Sequence, residues 1–117
     1  MYLHRRVRSF KYAFLGIKIA WHDEANFRFQ AACAVLAVIL SWFLSISRVE
    51  FMFILVAIGL VLTAELFNTA LEEFCDMVKS EHDPHVAKIK DLAAAAVFIA
   101  SWTALLLGAA IFIPHLL

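Results

Sequence analysis

Three long stretches without a charged side chain constrain the fold of this chain more than any other feature. No Asp, Glu, Lys or Arg occurs in residues 29–47, 51–64 or 92–113. A helix needs about 20 apolar residues to cross the hydrocarbon of a bilayer, and the middle stretch continues as a mixed segment to residue 78. The alternation of apolar and polar residues typical of membrane strands is missing. The pattern predicts an all-α membrane protein with transmembrane helices at about 29–47, 51–78 and 92–113.

Composition agrees with a membrane location. Hydrophobic residues make up 64% of the 117 positions, whereas soluble proteins have about 45–50%. So short a chain cannot bury that much apolar surface in a soluble core, and lipid is therefore the expected solvent. Lys plus Arg balances Asp plus Glu, which gives no basic excess for a nucleic-acid partner. We expect a single integral-membrane domain over residues 1–117 and no nucleic acid.

The segment before the first stretch has helical periodicity of its own. Its apolar residues recur at helical spacing: Phe10, Phe14, Ile17 and Trp21. A basic stripe runs beside them: Lys11, Lys18 and His22. This pattern predicts a helix at about 8–22 that lies on the membrane surface. The residues alone leave open whether it only anchors the chain to anionic headgroups or also contacts protein.

The distribution of basic residues predicts the orientation. With three spans, the N-terminus and the loop 79–90 lie on one side, which carries nearly all the basic residues: Arg5, Arg6, Arg8, Lys11, Lys18, Arg28, Lys79, Lys88 and Lys90. The opposite side carries Arg48 alone. Because cytoplasmic loops are enriched in Lys and Arg, we predict a cytoplasmic N-terminus and a C-terminus outside.

The second span ends in acidic residues, in "AELFNTALEEFCD". At about 100° per residue, Glu65, Glu72 and Asp76 lie within roughly 20° of one line, with Asn68 beside it. Glu65 is about 10 Å deeper along the helix than Glu72. An acid inside a span is costly and marks function. We therefore expect a polar stripe that faces the protein interior or a water-filled cleft.

Other polar residues lie at the same level of the membrane. Glu24 precedes the first span, and Lys90 and Asp91 precede the third. Glu24 and Glu72 are hard oxygen ligands from separate segments and suit Mg²⁺, while the nearby basic residues suit phosphate. No glycine-rich nucleotide motif occurs, so side chains and metal would have to hold a nucleotide. These residues alone also allow a purely structural role or a small oligomeric proton or cation transporter.

Four segments in this order belong to one pattern that spans nearly the whole chain: "SFKYAFLGIKIAW", "EANFR", "AELFNTALEEFCD" and "AKIKDLAAAAV". Together with the three spans they resemble the prokaryotic diacylglycerol kinase and undecaprenol kinase family, small lipid kinases of the bacterial inner membrane. The resemblance implies an interfacial helix plus three transmembrane helices in a homotrimer, with active sites between subunits at the cytoplasmic interface. It also implies transfer of the γ-phosphate of ATP to a membrane alcohol, with Mg²⁺.

The resemblance assigns roles to individual residues. It implies that Glu65 is the general base for the lipid hydroxyl and that Glu24 and Glu72 bind the metal, with Asn68 and Asp76 supporting the site. The residues implied to bind the nucleotide are Arg5, Tyr12, Glu24, Glu72, Glu81, Lys90 and Asp91. His82 and Asp83 stand where the family commonly has Tyr and His, which leaves the adenine contacts of this loop open.

The lipid substrate is predicted from sequence similarity to one branch of the family. The segments "FKYAFLGIKIA", "NFRF" and "IGLVLTAELFNTALE" resemble undecaprenol kinases of Gram-positive type more than the diacylglycerol-specific branch. We therefore expect undecaprenol as the acceptor, giving undecaprenyl phosphate. Diacylglycerol, giving phosphatidic acid, is the first alternative, and the transporter is the second.

Overall fold

Four helices account for almost all of the described chain. The computed structural model describes residues 2–78 and 83–117, and no strand occurs in them. The helices are α1 (Tyr2–Asp23), α2 (Ala25–Phe43), α3 (Arg48–Val78) and α4 (Pro84–Leu116). By length and composition, α2, α3 and α4 can each cross a membrane. The expected all-α membrane fold is confirmed.

The helix α1 and the start of α2 differ from the predicted limits. Helix α1 begins at Tyr2 rather than at residue 8, because the first residues contain no Gly or Pro and include good helix formers. Helix α2 begins at Ala25 rather than at residue 29. The two helices are separated by Glu24 alone, whose extended backbone (φ −117°, ψ 109°) interrupts the helical hydrogen bonding.

The turn between α2 and α3 ends the first span early, at Phe43 rather than at residue 47. Ser45 has a positive φ of 52°, which an ordinary helix does not contain. The Ser47 N–H donates to Glu50 Oε1 at 2.9 Å, and the Glu50 N–H donates to Ser47 Oγ at 3.1 Å. This reciprocal capping box starts α3 at Arg48, so the two helices are joined by a tight connection.

Helix α4 starts well before the predicted limit of residue 92. The Asp83 carboxylate accepts hydrogen bonds from the backbone N–H groups of His85 (2.8 Å) and Val86 (3.4 Å), and Pro84 occupies the first turn. Both features favour a helix start. The prediction marked the beginning of the uncharged stretch, whereas the cap sets the beginning of the helix. At about 1.5 Å per residue α4 is roughly 50 Å long, so it extends beyond a hydrocarbon layer of about 30 Å.

Packing places α3 at the centre of the chain. It packs most extensively on α4 and less on α2, and α1 contacts α2 and α3. The buried apolar core is small and rich in alanine: Ala20, Phe27, Ile54, Ala57, Cys75, Val86, Ala93, Ala100 and Ile111. Small side chains let membrane helices approach closely. We call the end of the bundle at which α1 joins α2 the α1 end, and the end that carries Arg48 the far end.

Large apolar side chains cover the outside of the bundle. Trp42, Phe43 and Phe98 are all exposed, as expected where lipid replaces water. The chain measures 51 × 43 × 22 Å, so it is about two helix diameters thick and has broad uncovered faces. The interior, in contrast, contains a buried acidic and a buried amide side chain in the half of α3 that is nearer the α1 end.

Candidate active site

Glu65 is the most completely buried large side chain in the described residues. It lies in the middle of α3 and is 1% exposed. Its Oε2 lies 3.5 Å from Gln30 Nε2 of α2, at the outer limit of a hydrogen bond. A carboxylate placed here has left water and has almost no compensation from donors of the described chain. This arrangement suits a group that exchanges a proton with a bound molecule.

One turn closer to the α1 end, α3 carries an amide and a second carboxylate in contact. Asn68 Nδ2 donates to Glu72 Oε1 at 3.1 Å, as the i, i+4 spacing of a helix allows. Asn68 is 9% exposed, and Glu72 is half-buried. The stripe predicted from the sequence therefore faces the protein interior at Glu65 and Asn68. It emerges toward the surface at Asp76, which is exposed.

Two amide oxygens at this level have no hydrogen-bond partner among the residues that the structure describes. Gln30 Oε1 and Asn68 Oδ1 are buried and accept no hydrogen bond from any described residue. Buried acceptors are normally satisfied, by protein or by a bound species. The site is therefore built to receive a hydrogen-bond donor or a cation.

Glu24 brings a further carboxylate to the α1 end. It is half-buried at the start of α2, and its side chain caps no backbone group of that helix in the described chain. Burial raises the pKa of the Glu24 carboxyl, the carboxylates of Glu72, Asp23 and Glu73 raise it further, and Arg28 lowers it. Glu24 and Glu72 are therefore close enough to repel each other, and a cation between them would relieve that repulsion.

The side-chain oxygen atoms of Glu24, Glu72 and Asn68 are of the type that binds a hard divalent cation. Within residues 2–78 and 83–117, no group of three or more His, Cys, Asp or Glu side chains could hold a metal ion. Mg²⁺, however, is often bound by one or two carboxylates, with waters and substrate phosphates completing its shell. Glu24, Glu72 and the unpartnered oxygen of Asn68 are ligands of that type.

At the start of α4, Lys90 is already engaged with α3. Its Nζ lies 2.7 Å from Asp76 Oδ1. The lysine side chain is 30% exposed, so it still reaches the surface. Asp91, the next residue, is exposed. The structure thus brings Lys90, Asp76 and Glu72 to the same end of the bundle.

Two other predicted residues lie elsewhere. Arg5 and Tyr12 are exposed on α1, roughly 28 Å and 18 Å along the helix from Glu24 at about 1.5 Å per residue. Within one chain they do not join the carboxylates. Glu81 lies outside the described residues.

Two residues were not predicted to have roles in the site. Gln30 contacts Glu65, and an amide in an otherwise apolar span is the signal that could have revealed it, because an amide in lipid needs a partner. Arg28 Nη1 donates to the carbonyl oxygens of Trp21 (2.7 Å) and His22 (3.1 Å). It thereby holds the C-terminal end of α1 against α2.

An apolar groove of about 560 Å³ runs between α2, α3 and α4 toward the far end, as far as Ile113. The polar side chains among its described lining residues are Gln30 and Ser101, and the rest are apolar. Its volume lies within the roughly 300–1,000 Å³ typical of ligand pockets. Gln30 belongs both to this groove and to the contact with Glu65, so the groove comes within one side chain of the buried carboxylate.

Sequence comparison identifies the family to which this chain belongs. The family model described as prokaryotic diacylglycerol kinase matches residues 11–112. The chain belongs to the prokaryotic diacylglycerol kinase family. This kinase is 36% identical to an undecaprenol kinase of Bacillus subtilis (strain 168) over 97% of its own length and 93% of the relative. It is 30% identical to a diacylglycerol kinase of Escherichia coli (strain K12), over 82% of its length and 79% of the relative.

A third relative has a similar level of identity. A diacylglycerol kinase of Synechocystis is 33% identical over 93% of this kinase and 63% of the relative. The expected class, a multi-pass membrane lipid kinase, is confirmed over the two alternatives, a transporter and a purely structural role. As a kinase of this family it takes ATP as phosphate donor and a lipid as acceptor.

Proposed function

We propose that this kinase transfers the γ-phosphate of ATP to undecaprenol and produces undecaprenyl phosphate and ADP. The observation that carries the proposal is the position of Glu65, buried to 1% exposure and adjacent to Gln30 at one end of an apolar groove. A long isoprenoid chain with a single terminal hydroxyl fits a groove that is apolar along its length and polar at that end. The undecaprenol kinase of Bacillus subtilis supports the same acceptor.

Glu65 is proposed as the general base. It takes the proton of the lipid hydroxyl while the hydroxyl oxygen forms a bond to the γ-phosphorus, and the bond between that phosphorus and the β,γ-bridging oxygen breaks to release ADP. General bases contribute about 10²–10⁴-fold to rate. The base must be buried because its substrate stays in the membrane, and the hydroxyl can reach Glu65 without the lipid entering water.

Glu24 and Glu72 are proposed to hold Mg²⁺, which when bound would offset the negative charge of the ATP phosphates. The raised pKa of Glu24, caused by burial and by the neighbouring carboxylates, supports a site that gains from a cation. Asn68 donates to Glu72 and so orients one of the two ligands. Asp76 holds Lys90 and supports the site from α3.

Lys90, Asp91, Glu81, Arg5 and Tyr12 are proposed to contact the nucleotide. Because Arg5 and Tyr12 lie along α1, away from Glu24 of the same chain, a neighbouring subunit would supply them. The uncovered apolar faces of the bundle support assembly as a homotrimer with sites between subunits. The excess of basic residues at the α1 end supports a cytoplasmic location for that end and an external C-terminus, in a bacterial inner membrane.

Diacylglycerol is the alternative acceptor, because relatives from Escherichia coli and Synechocystis are named as diacylglycerol kinases. An assay on purified protein in phospholipid vesicles separates the two. Labelled ATP and Mg²⁺ are supplied with either undecaprenol or diacylglycerol, and Glu65→Gln is measured beside the wild type. We expect label in undecaprenol and a loss of kcat of about 10²–10⁴-fold in Glu65→Gln. Preferential labelling of diacylglycerol would reverse the assignment of substrate, and full activity in Glu65→Gln would remove Glu65 as the base.

A further inference from the structure

Gln30 is the residue that connects the groove to the buried carboxylate. Its side chain lines the groove, and its Nε2 lies 3.5 Å from Glu65 Oε2. Its Oε1 is buried and has no hydrogen-bond partner in the described chain. The nitrogen of this amide is thus directed to the carboxylate, and the oxygen is left for something else.

The unpartnered atoms near Glu65 share one chemical property. The buried side-chain atoms without a partner, in the part of the chain that the structure describes, are Gln30 Oε1 and Asn68 Oδ1. Both are acceptors. Leaving a buried acceptor unpaired is costly, so a ligand that completes this site is favoured when it brings a donor. Asn68 adjoins Glu72, on the side of the proposed metal ligands, whereas Gln30 faces the groove.

We infer that Gln30 selects the lipid substrate, by accepting a hydrogen bond from its hydroxyl at Oε1 and by disfavouring lipids that bring ester carbonyl groups to the same place. The inference rests on the proposed function, in which an alcohol occupies the groove. A polyprenol has a hydroxyl as its one polar group. In diacylglycerol, ester carbonyl oxygens lie within a few bonds of the hydroxyl, and these oxygens only accept hydrogen bonds.

Selection follows from this difference in donors and acceptors. An ester oxygen beside Gln30 Oε1 would place two acceptors together and leave both unpaired, which a polar site penalises strongly. The hydroxyl of a polyprenol instead satisfies the amide oxygen when it docks. Because Gln30 also contacts Glu65, the O–H group can then turn from the amide oxygen to the carboxylate that takes its proton. Gln30 is therefore a specificity residue that binds the alcohol before transfer.

The test uses Gln30→Met, which keeps the length of the side chain and removes both polar atoms. Wild type and variant are reconstituted in phospholipid vesicles and assayed with undecaprenol, a saturated long-chain fatty alcohol and diacylglycerol. We expect KM for undecaprenol and for the fatty alcohol to rise about tenfold with a smaller change in kcat. We expect the ratio of kcat/KM between undecaprenol and diacylglycerol to fall by about the same factor. An equal loss on all three lipids, or no loss, would overturn the inference.

Ser41→Ala is the matched control, because it removes a buried hydroxyl of α2, whose Oγ donates to the Ala37 carbonyl at 2.7 Å. It lies toward the far end of α2, and its substrate ratio should equal that of the wild type. If Gln30→Met does not fold, Gln30→Asn carries the test: it keeps the amide, withdraws it by one methylene and should show the same change at smaller size.

The wild-type arm separates the two proposals. Wild-type protein that labels no lipid would overturn the proposed function itself. Wild-type protein that labels diacylglycerol in preference to both alcohols would overturn the proposed acceptor and selection by Gln30 together. A preference for undecaprenol that Gln30→Met leaves unchanged would overturn selection by Gln30 alone.

Discussion

Lys90 Nζ and Asp76 Oδ1 lie 2.7 Å apart and join the first turns of α4 to the last turns of α3. The lysine proposed to contact the nucleotide is thus held in place by a residue of the helix that carries Glu65 and Glu72. Because both partners are partly exposed, the pair contributes little to stability, about 0.2–1 kcal/mol for pairs of this kind. Its importance lies in where it places the positive charge.

Charge substitutions separate the contribution of this pair to stability from its contribution to ATP binding. We expect Lys90→Met to raise KM for ATP at least about tenfold, the cost of losing a charged hydrogen bond to phosphate. Asp76→Asn should raise it less, since the lysine remains. Exchanging the two residues, Asp76→Lys with Lys90→Asp, should restore the unfolding temperature and leave KM for ATP high. Recovery of normal KM in the exchanged protein would show that the pair, and not the position of Lys90, is what matters.

The raised pKa of Glu24 predicts how stability depends on pH in metal-free protein. The folded state holds the proton of Glu24 more tightly than the unfolded chain because of burial and the adjacent carboxylates. The stabilisation from this protonation is therefore complete below the ordinary pKa of glutamate and is lost as pH rises through the raised pKa. We expect the unfolding free energy, measured with a chelator present, to fall in that window, and to fall less in Glu24→Gln.

Glu73→Gln is the control for the pH prediction. Glu73 is an exposed carboxylate that contributes to the raised pKa of Glu24. Removing its charge should bring the pKa of Glu24 closer to its ordinary value. The unfolding free energy should then fall over a narrower pH range, but it should still fall. An identical slope in the wild type and in Glu24→Gln would show that another group is responsible.

Arg28 predicts a local effect on α1. Its Nη1 donates to the carbonyl groups of Trp21 and His22, and its charge lies at the negative end of the α1 dipole. We expect Arg28→Met to destabilise the protein by about 1–3 kcal/mol and to accelerate hydrogen exchange in α1 more than in α3. Arg28→Lys, which keeps the charge but loses the planar donor group, should fall between. Equal exchange in all three proteins would show that α1 is held by other contacts.

The far end provides a prediction in which stability changes and activity does not. His115 Nε2 of α4 lies 3.1 Å from Glu50 Oε1 of α3, about 22 Å along α3 from Glu65. We expect His115→Gln to lower the unfolding temperature slightly. Glu50→Gln should cost more, because Glu50 also accepts from the Ser47 N–H. Both should keep the wild-type kcat, and a loss of kcat would indicate coupling between the two ends.

The parts of the site that lie on one helix were predictable from the sequence. Helical geometry alone places Glu65, Asn68 and Glu72 on one face, and the cost of acids in lipid directs that face inward. The structure shows Glu65 and Asn68 buried. Local signals also mark the start of α4, where Asp83 and Pro84 form a cap that the prediction overlooked in favour of hydropathy.

The parts that depend on two helices were not predictable in the same way. The contact of Gln30 with Glu65 depends on the rotation of α2 about its axis, which packing sets and periodicity does not. The end of α2 at Phe43 depends on the positive φ of Ser45. A positive φ can be predicted from sequence mainly where the residue is glycine. The reach of Arg28 back to α1 likewise depends on the angle between two helices.

Helix α4 is longer than a bilayer is thick, which links the activity of this enzyme to membrane thickness. Helix α4 is about 50 Å long and begins at Pro84, so the turns that carry Lys90 stand clear of a hydrocarbon layer of about 30 Å. Gln30, in contrast, lines the apolar groove between the spanning helices and contacts Glu65, so these two side chains keep a fixed position on the protein. A change in bilayer thickness would shift the hydroxyl of a membrane alcohol along the bilayer normal relative to Gln30 and Glu65. ATP would still meet the protruding turns of α4. We therefore expect turnover to depend on bilayer thickness and to be greatest where that thickness places the hydroxyl level with Glu65.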